Sequence, residues 1–422
     1  MDTNVLSLII FILTIALLVW DRLPMATASV IGCTAMVICG VCGFSTAFGQ
    51  FSSSTVILTI GVMIIGAAIS ESGLAHAIGA WITKVSRGSE TTLIIGTYVI
   101  SAFMSAFLTN SAVLAIFIPI VMGLAHKESG FKPKNIIIAI AIACVVGGAS
   151  TLVGSTQQMT AQGLLEGAGT RVFKTFDFTP MGLILLAVGL IYILAFGRKL
   201  SEKIWGNRPD EEVEMETGNV VIGSKPKMII MAVIFCTTVV FYITEWLPLA
   251  VVSTSAALLC IVTGCITQKK AIAQVNWNIV GRLAACLGLA KALEAAGGTD
   301  LLSQGFQMLI GTNVHPWVLF CILVFLVQFT SEFISNSTAI LVVLPIALTI
   351  TGNMGLNTYA YALGITLASG VCISCPLASS TLGTSMVVGY RFNDYFKYGL
   401  LLDIIFYVLI VTLVPLFYGL TV

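Results

Sequence analysis

Charge is what this sequence has least of. Of its 422 residues only 9% are Asp, Glu, Lys or Arg, where a soluble domain carries about a quarter. That shortage excludes a charged, water-facing surface of ordinary size. The net charge is +1, so no overall field favours nucleic acid as a partner. Histidine is nearly absent as well: His76, His126 and His315 fall near span ends and loops. Acidic residues inside the apolar segments come down chiefly to Glu332 and Asp403. No nucleophile–base pair or paired-carboxylate site stands out, which argues against an enzyme. Cys372 and Cys375 form a C-x-x-C, but no second pair or neighbouring His completes a metal set. The eleven cysteines read as small apolar residues. No basic stretch precedes the apolar run Val5–Trp20, so it is taken as a retained span and not a signal peptide.

Apolar residues are abundant. They make up 58% of the chain, the mean hydropathy is +1.03, and long apolar runs recur throughout. These features predict an all-α integral membrane protein. The runs also repeat. Asp21-Arg22-Leu23-Pro24-Met25-Ala26 returns as Glu245-Trp246-Leu247-Pro248-Leu249-Ala250, and Gly40 returns as Gly264. Thr109-Asn110-Ser111, followed by Pro119, returns as Ser335-Asn336-Ser337, followed by Pro345. The expected units are therefore a first repeat over 1–200, a cytoplasmic linker over 201–226 rich in charge, and a second repeat over 227–422.

Each repeat is expected to hold five transmembrane helices and one re-entrant hairpin. The spans fall near 5–20, 26–43, 55–72, 135–165 and 178–197, and again near 228–245, 249–266, 277–294, 358–388 and 398–419. Two of these, 135–165 and 358–388, exceed the roughly 20 residues a crossing needs and carry polar residues midway. They are predicted to break at the midplane, which lipid permits only where protein satisfies the freed backbone. The stretches 91–124 and 315–349 have polar centres and arms short for a full crossing, so they read as hairpins with tips at mid-depth. Five crossings per unit invert the second repeat relative to the first. With both termini outside, sixteen of the twenty basic residues face the cytoplasm and only Arg171 and Lys174 face out.

Inverted repeats, broken helices and polar midplane tips point to a secondary transporter. A helix beginning at each tip offers unpaired N–H groups and a dipole end suited to an anion. Asn can both accept and donate, and nearby hydroxyls and freed carbonyls suit a hard cation such as Na⁺. Simple helix capping by Ser, Thr and Asn is the alternative for a single motif. Two related motifs facing two breaks favour transport.

The paired Thr109-Asn110-Ser111 and Ser335-Asn336-Ser337 motifs resemble the Ser-Asn-Thr signature of divalent anion/sodium symporters, the family of dicarboxylate, citrate and sulfate transporters. Phe176–Leu183 and Gly389–Leu400 resemble that family's lead-ins to the last span of each half. The resemblance implies a homodimer in the inner membrane, an elevator mechanism and sodium as the coupling ion, with no organic cofactor. It places sodium at Ser105, Thr109, Asn110 and Gly154, and again at Ser331, Asn336 and Ala378. It places the anion at Asn110, Ser111, Asn336 and Ser337, with Ser155, Thr156 and Ser379 opposite. Ser replaces the signature's final Thr in both copies, and Gln157-Gln158 and Thr381-Leu382 depart from the family's usual breaks, so the substrate does not follow from the resemblance.

The rival readings are an exchanger without sodium and a sodium/proton antiporter using Glu332 or Asp403, although a structural partner within the hairpin is the commoner role for Glu332. Arg282 and Lys291 have no counterparts in the first half, where Leu58 and Ala67 stand; either could be an anion-attracting charge, and snorkelling from near the span ends is the commoner explanation. With no basic residue expected at either tip, anion charge is expected to be met by helix N-termini and a bound cation.

Overall fold

The computed structural model describes residues 2–20, 23–74, 77, 89–125, 132–206, 224–299, 301, 304–305, 314–376 and 379–421. Helix dominates, and among the described residues six stretches are long and apolar enough to cross a membrane. Large apolar side chains such as Leu13, Phe103, Ile243, Phe325 and Phe417 lie exposed on the outside, a surface suited to lipid and not to water.

The first half contributes α1 (Thr3–Trp20), α2 (Met25–Ile38), the short α3 (Phe44–Phe48) and α4 (Ser54–Glu71). A helical pair follows, α5 (Glu90–Ser105) and α6 (Asn110–Ala125), then α7 (Pro133–Gly148), α8 (Thr156–Gly167), α9 (Thr179–Tyr192) and α10 (Arg198–Trp205). The second half runs in the same order. It comprises α11 (Lys225–Thr244), α12 (Leu249–Val262), α13 (Gln268–Gln274), α14 (Trp277–Ala295), the pair α15 (Pro316–Phe333) and α16 (Asn336–Asn353), α17 (Thr358–Gly370), α18 (Ser380–Ser385) and α19 (Phe392–Tyr418).

The sequence anchors have local causes. Pro24 and Pro248 precede α2 and α12 with almost the same backbone angles, φ −52° and −54°. Gly40 and Gly264 close those helices at φ +69° and +71°, a left-handed conformation that a side chain would strain. Both long segments break where expected, at 149–155 between α7 and α8 and, among the described residues, at 371–376 and 379 between α17 and α18. Every residue of α7 is buried, and so is every residue of α17 after Thr358. A helix apolar all round belongs in the middle of a bundle, and these two form its centre.

Two expectations change. The arms of the second hairpin are 18 residues each, about 27 Å at the usual helical rise, and so are not short. The linker's first residues, 201–205, are helical and continue the helix that begins at Arg198. There Trp205 is buried, stacks on Tyr398 and donates to Asn135 Oδ1 at 3.1 Å. Residues 207–223 of the linker lie outside the described residues, as do Arg22, Lys84, Arg87, Lys127, His76 and His126.

Packing sorts the helices into two groups. In one, α1–α4 pack with α11–α14, most closely α2 on α14 and α4 on α12. In the other, α5–α10 pack with α15–α19, around α7 and α17. The groups meet mainly where α8 touches α4 and α14 and where α14 touches α16.

Candidate functional site

At the first tip, α5 ends at Ser105 and α6 begins at Asn110. The Ser105 hydroxyl lies 2.7 Å from Asn110 Oδ1 and 2.9 Å from the carbonyl oxygen of Cys144. It has one proton for two acceptors, so three oxygens crowd together with a donor too few. Asn110 Nδ2 donates towards Ser155 Oγ at 3.4 Å, linking the tip to the first break. Thr151 secures the break by donating to the carbonyl of Ala106 and accepting from Gly154 N at 3.2 Å. Gly148 and Gly154 allow this closeness. A methyl at Gly148 would sit 2.2 Å from Asn110 Oδ1, and one at Gly154 within 3.0 Å of the carbonyls of Gly148, Ser105 and Ala106. The signal for Gly148 in the sequence is the Gly147-Gly148 pair just before the break.

The second tip is built alike but left less satisfied. Ser335 caps α16 by accepting from Thr338 N, so the helix starts at Asn336. Ser331 and Asn336 repeat the spacing of Ser105 and Asn110, yet Ser331 Oγ and Asn336 Oδ1 are both buried and have no hydrogen-bond partner. A buried oxygen without a partner costs about 1–3 kcal/mol. Two of them at the tip form a donor set that a hard cation fits. Ala378, expected to complete that set, lies outside the described residues. Among the described residues no cluster of His, Cys, Asp and Glu has metal-holding geometry.

The two tips and the two breaks meet. Ser337 Oγ donates to Thr156 Oγ1 at 3.1 Å across 181 residues of chain. A cavity of about 400 Å³ opens there. All seven residues expected to hold the anion line it: Asn110, Ser111, Asn336, Ser337, Ser155, Thr156 and Ser379. Thr109 and Gly154 line it too, while Ser105 and Ser331 stand fully buried behind it. The helices α6, α8 and α16 all begin on its wall, at Asn110, Thr156 and Asn336. Their first-turn N–H groups have no intrahelical acceptors, which makes the cavity electropositive.

The charged residues fall out differently from expectation. Arg282 is not a snorkelling residue. It lines the same cavity, with Nη1 3.1 Å from Ser335 Oγ at the second tip and 2.8 Å from Met25 Sδ. Lys291 lies elsewhere, exposed on a separate cavity of about 320 Å³ with Glu294 and Thr349. Asp403 serves the second break, where its carboxylate accepts from Ile373 N at 2.9 Å, from Ser374 N at 2.8 Å and from the Ser374 hydroxyl. Glu332 faces Asp403 and the amides of Ser374 and Cys375. The two acidic residues thus sit behind the break and are absent from the cavity wall.

Known proteins agree with this architecture. The citrate transporter family's sequence profile matches residues 15–336. The chain belongs to the citrate transporter family. That family and the relatives below are transporters by name, not enzymes. An uncharacterized transporter of Haemophilus influenzae is 24% identical over 90% of this chain and 85% of its own length. The sodium-dependent dicarboxylate transporter SdcS of Staphylococcus saprophyticus is 22% identical over 90% of this chain and 80% of its own. The uncharacterized transporters YfbS of Escherichia coli and sll0640 of Synechocystis are 28% and 30% identical over 43% and 45% of this chain. The matches span 29% and 30% of those relatives' lengths. Among solved structures, the Alcanivorax borkumensis YdaH transporter superposes with a TM-score of 0.66 at 15% identity, covering 89% of this chain and 88% of its own. At that identity the likeness concerns the fold alone.

Proposed function

We propose that the protein is a secondary active transporter that couples sodium to the movement of small divalent anions of the dicarboxylate or sulfate class. The observation that carries this reading is the tip pair. Three helix N-termini face one cavity, and buried oxygens of Ser331 and Asn336 stand unpaired beside it. Three N-termini contribute roughly half a positive charge each and Arg282 adds a full one, so the call for a cation comes from the unpaired oxygens of Ser331 and Asn336 and not from a shortfall of positive charge. Sodium held by Ser105, Asn110 and the carbonyls about Gly154, and by Ser331 and Asn336, supplies positive charge next to the anion. The relative SdcS is by its name sodium-dependent and carries dicarboxylates, which agrees with this assignment.

The working arrangement is a homodimer in the inner membrane, each chain made of two inverted repeats with both termini outside. Contacts between helix ends support the crossings. Lys270 pairs with Glu71 at 2.6 Å and Asn278 accepts from Ala26 N, all four at ends assigned to the cytoplasm. Lys174 pairs with Glu245 at 3.2 Å and Tyr359 donates to Asp177, all four at ends assigned to the outside. Two helix groups with the cavity where they meet suit an elevator, in which the group carrying both tips moves against the other.

Calorimetric titration of the purified chain tests the coupling. Succinate affinity should fall at least tenfold when choline replaces Na⁺, and saturating succinate should tighten Na⁺ binding by the same factor. Equal succinate affinity in both salts contradicts the coupling.

A further inference from the structure

Arg282 is the one charged side chain on the wall of the tip cavity among the described residues, and the resemblance assigns it no role. It is half-buried on α14. Its Nη1 bonds only to a thioether and to the Ser335 hydroxyl. No described carboxylate pairs with it, and its Nε and Nη2 groups donate to no described residue. A guanidinium removed from water without an anion is costly, and an incoming carboxylate that accepts two parallel N–H bonds relieves that cost. The equivalent position in the first half is Leu58, fully buried in an apolar cluster, so the cavity's fixed charge lies on one side.

We propose that Arg282 binds one anionic group of the substrate while the tip residues Asn110, Ser111, Asn336 and Ser337 bind the other. This rests on the transport reading above and narrows it. The substrate is then a short dicarboxylate with its two charges held apart, not a compact dianion such as sulfate. The placement adds a second consequence. Arg282 sits on α14, packed in one helix group, and the tips belong to the other. A dicarboxylate held at both ends therefore bridges the two groups.

The test compares two probes, succinate and its monoamide succinamate, by calorimetry in saturating NaCl. The proteins are the full-length chain and its Arg282→Gln and Arg282→Lys variants. The wild type is expected to favour succinate by about ten- to a hundredfold, the range for a hydrogen bond to a charged group. Arg282→Gln should lose that preference while binding succinamate within a few-fold of wild type, which also shows that its cavity is folded. Arg282→Lys should fall between, since it keeps the charge and loses the fork. Undiminished succinate preference in Arg282→Gln overturns the assignment and leaves the transport reading intact. Equal loss of both probes in Arg282→Gln makes Arg282 a structural residue and also overturns it. A wild type that binds neither probe sinks the dicarboxylate reading and the assignment together.

Discussion

Asn110 and Asn336 occupy the same place in their tips but have different surroundings. Asn110 is engaged on both sides, by Ser105 and by Ser155, whereas Asn336 Oδ1 has no partner. The first tip owes its closure to Gly148, which leaves no room for a methyl beside Asn110. Gly148→Ala should push Asn110 out of place, weakening Na⁺-dependent succinate binding at least tenfold while the chain still folds. Calorimetry on the variant checks this, and wild-type affinity would show that the close approach is incidental. The tip residues were legible in the sequence because polar side chains inside long apolar runs are conspicuous. The place of Arg282 is illegible in the sequence for the converse reason. A single charge five residues inside a helix looks like a snorkelling residue, and only the packing of α14 on α2 turns it to the cavity.

At the scale of the element, the two breaks solve one problem by different means. A broken helix frees backbone groups that lipid cannot satisfy. At the first break they are met within the half, by Thr151 and by the bond from Leu152 N to the carbonyl of Thr175. At the second, Asp403 on α19 takes the amides of Ile373 and Ser374. Asp403→Ala leaves both without their acceptor, at about 1–3 kcal/mol each. The melting temperature in detergent should drop clearly, and Asp403→Asn should drop it less. Unchanged melting with lost transport would instead return Asp403 to the ion pathway. The breaks could be read in advance because each carries polar residues midway in a segment too long for one crossing. The helix over 198–205 could not. Its charged residues look like linker, and its place depends on Trp205 reaching Tyr398 and Asn135, which are distant in sequence.

For the whole molecule, the repeat in the sequence reappears as a repeated order of helices, and the halves interleave. Each helix group takes members from both halves, and the cavity is lined by both tips and both breaks. Offsets in a sequence reveal that two halves correspond, but not which faces they turn to each other, because an apolar helix facing lipid and one facing protein have similar compositions. Central to the account is sodium-driven movement of a dianion through this cavity. Uptake of labelled succinate into proteoliposomes tests it most directly. An inward Na⁺ gradient should drive accumulation above equilibrium, choline should not, and Asn336→Ala should cut uptake about ten- to a hundredfold at low succinate. Uptake indifferent to Na⁺ but driven by succinate preloaded inside would contradict the account and make the protein an exchanger.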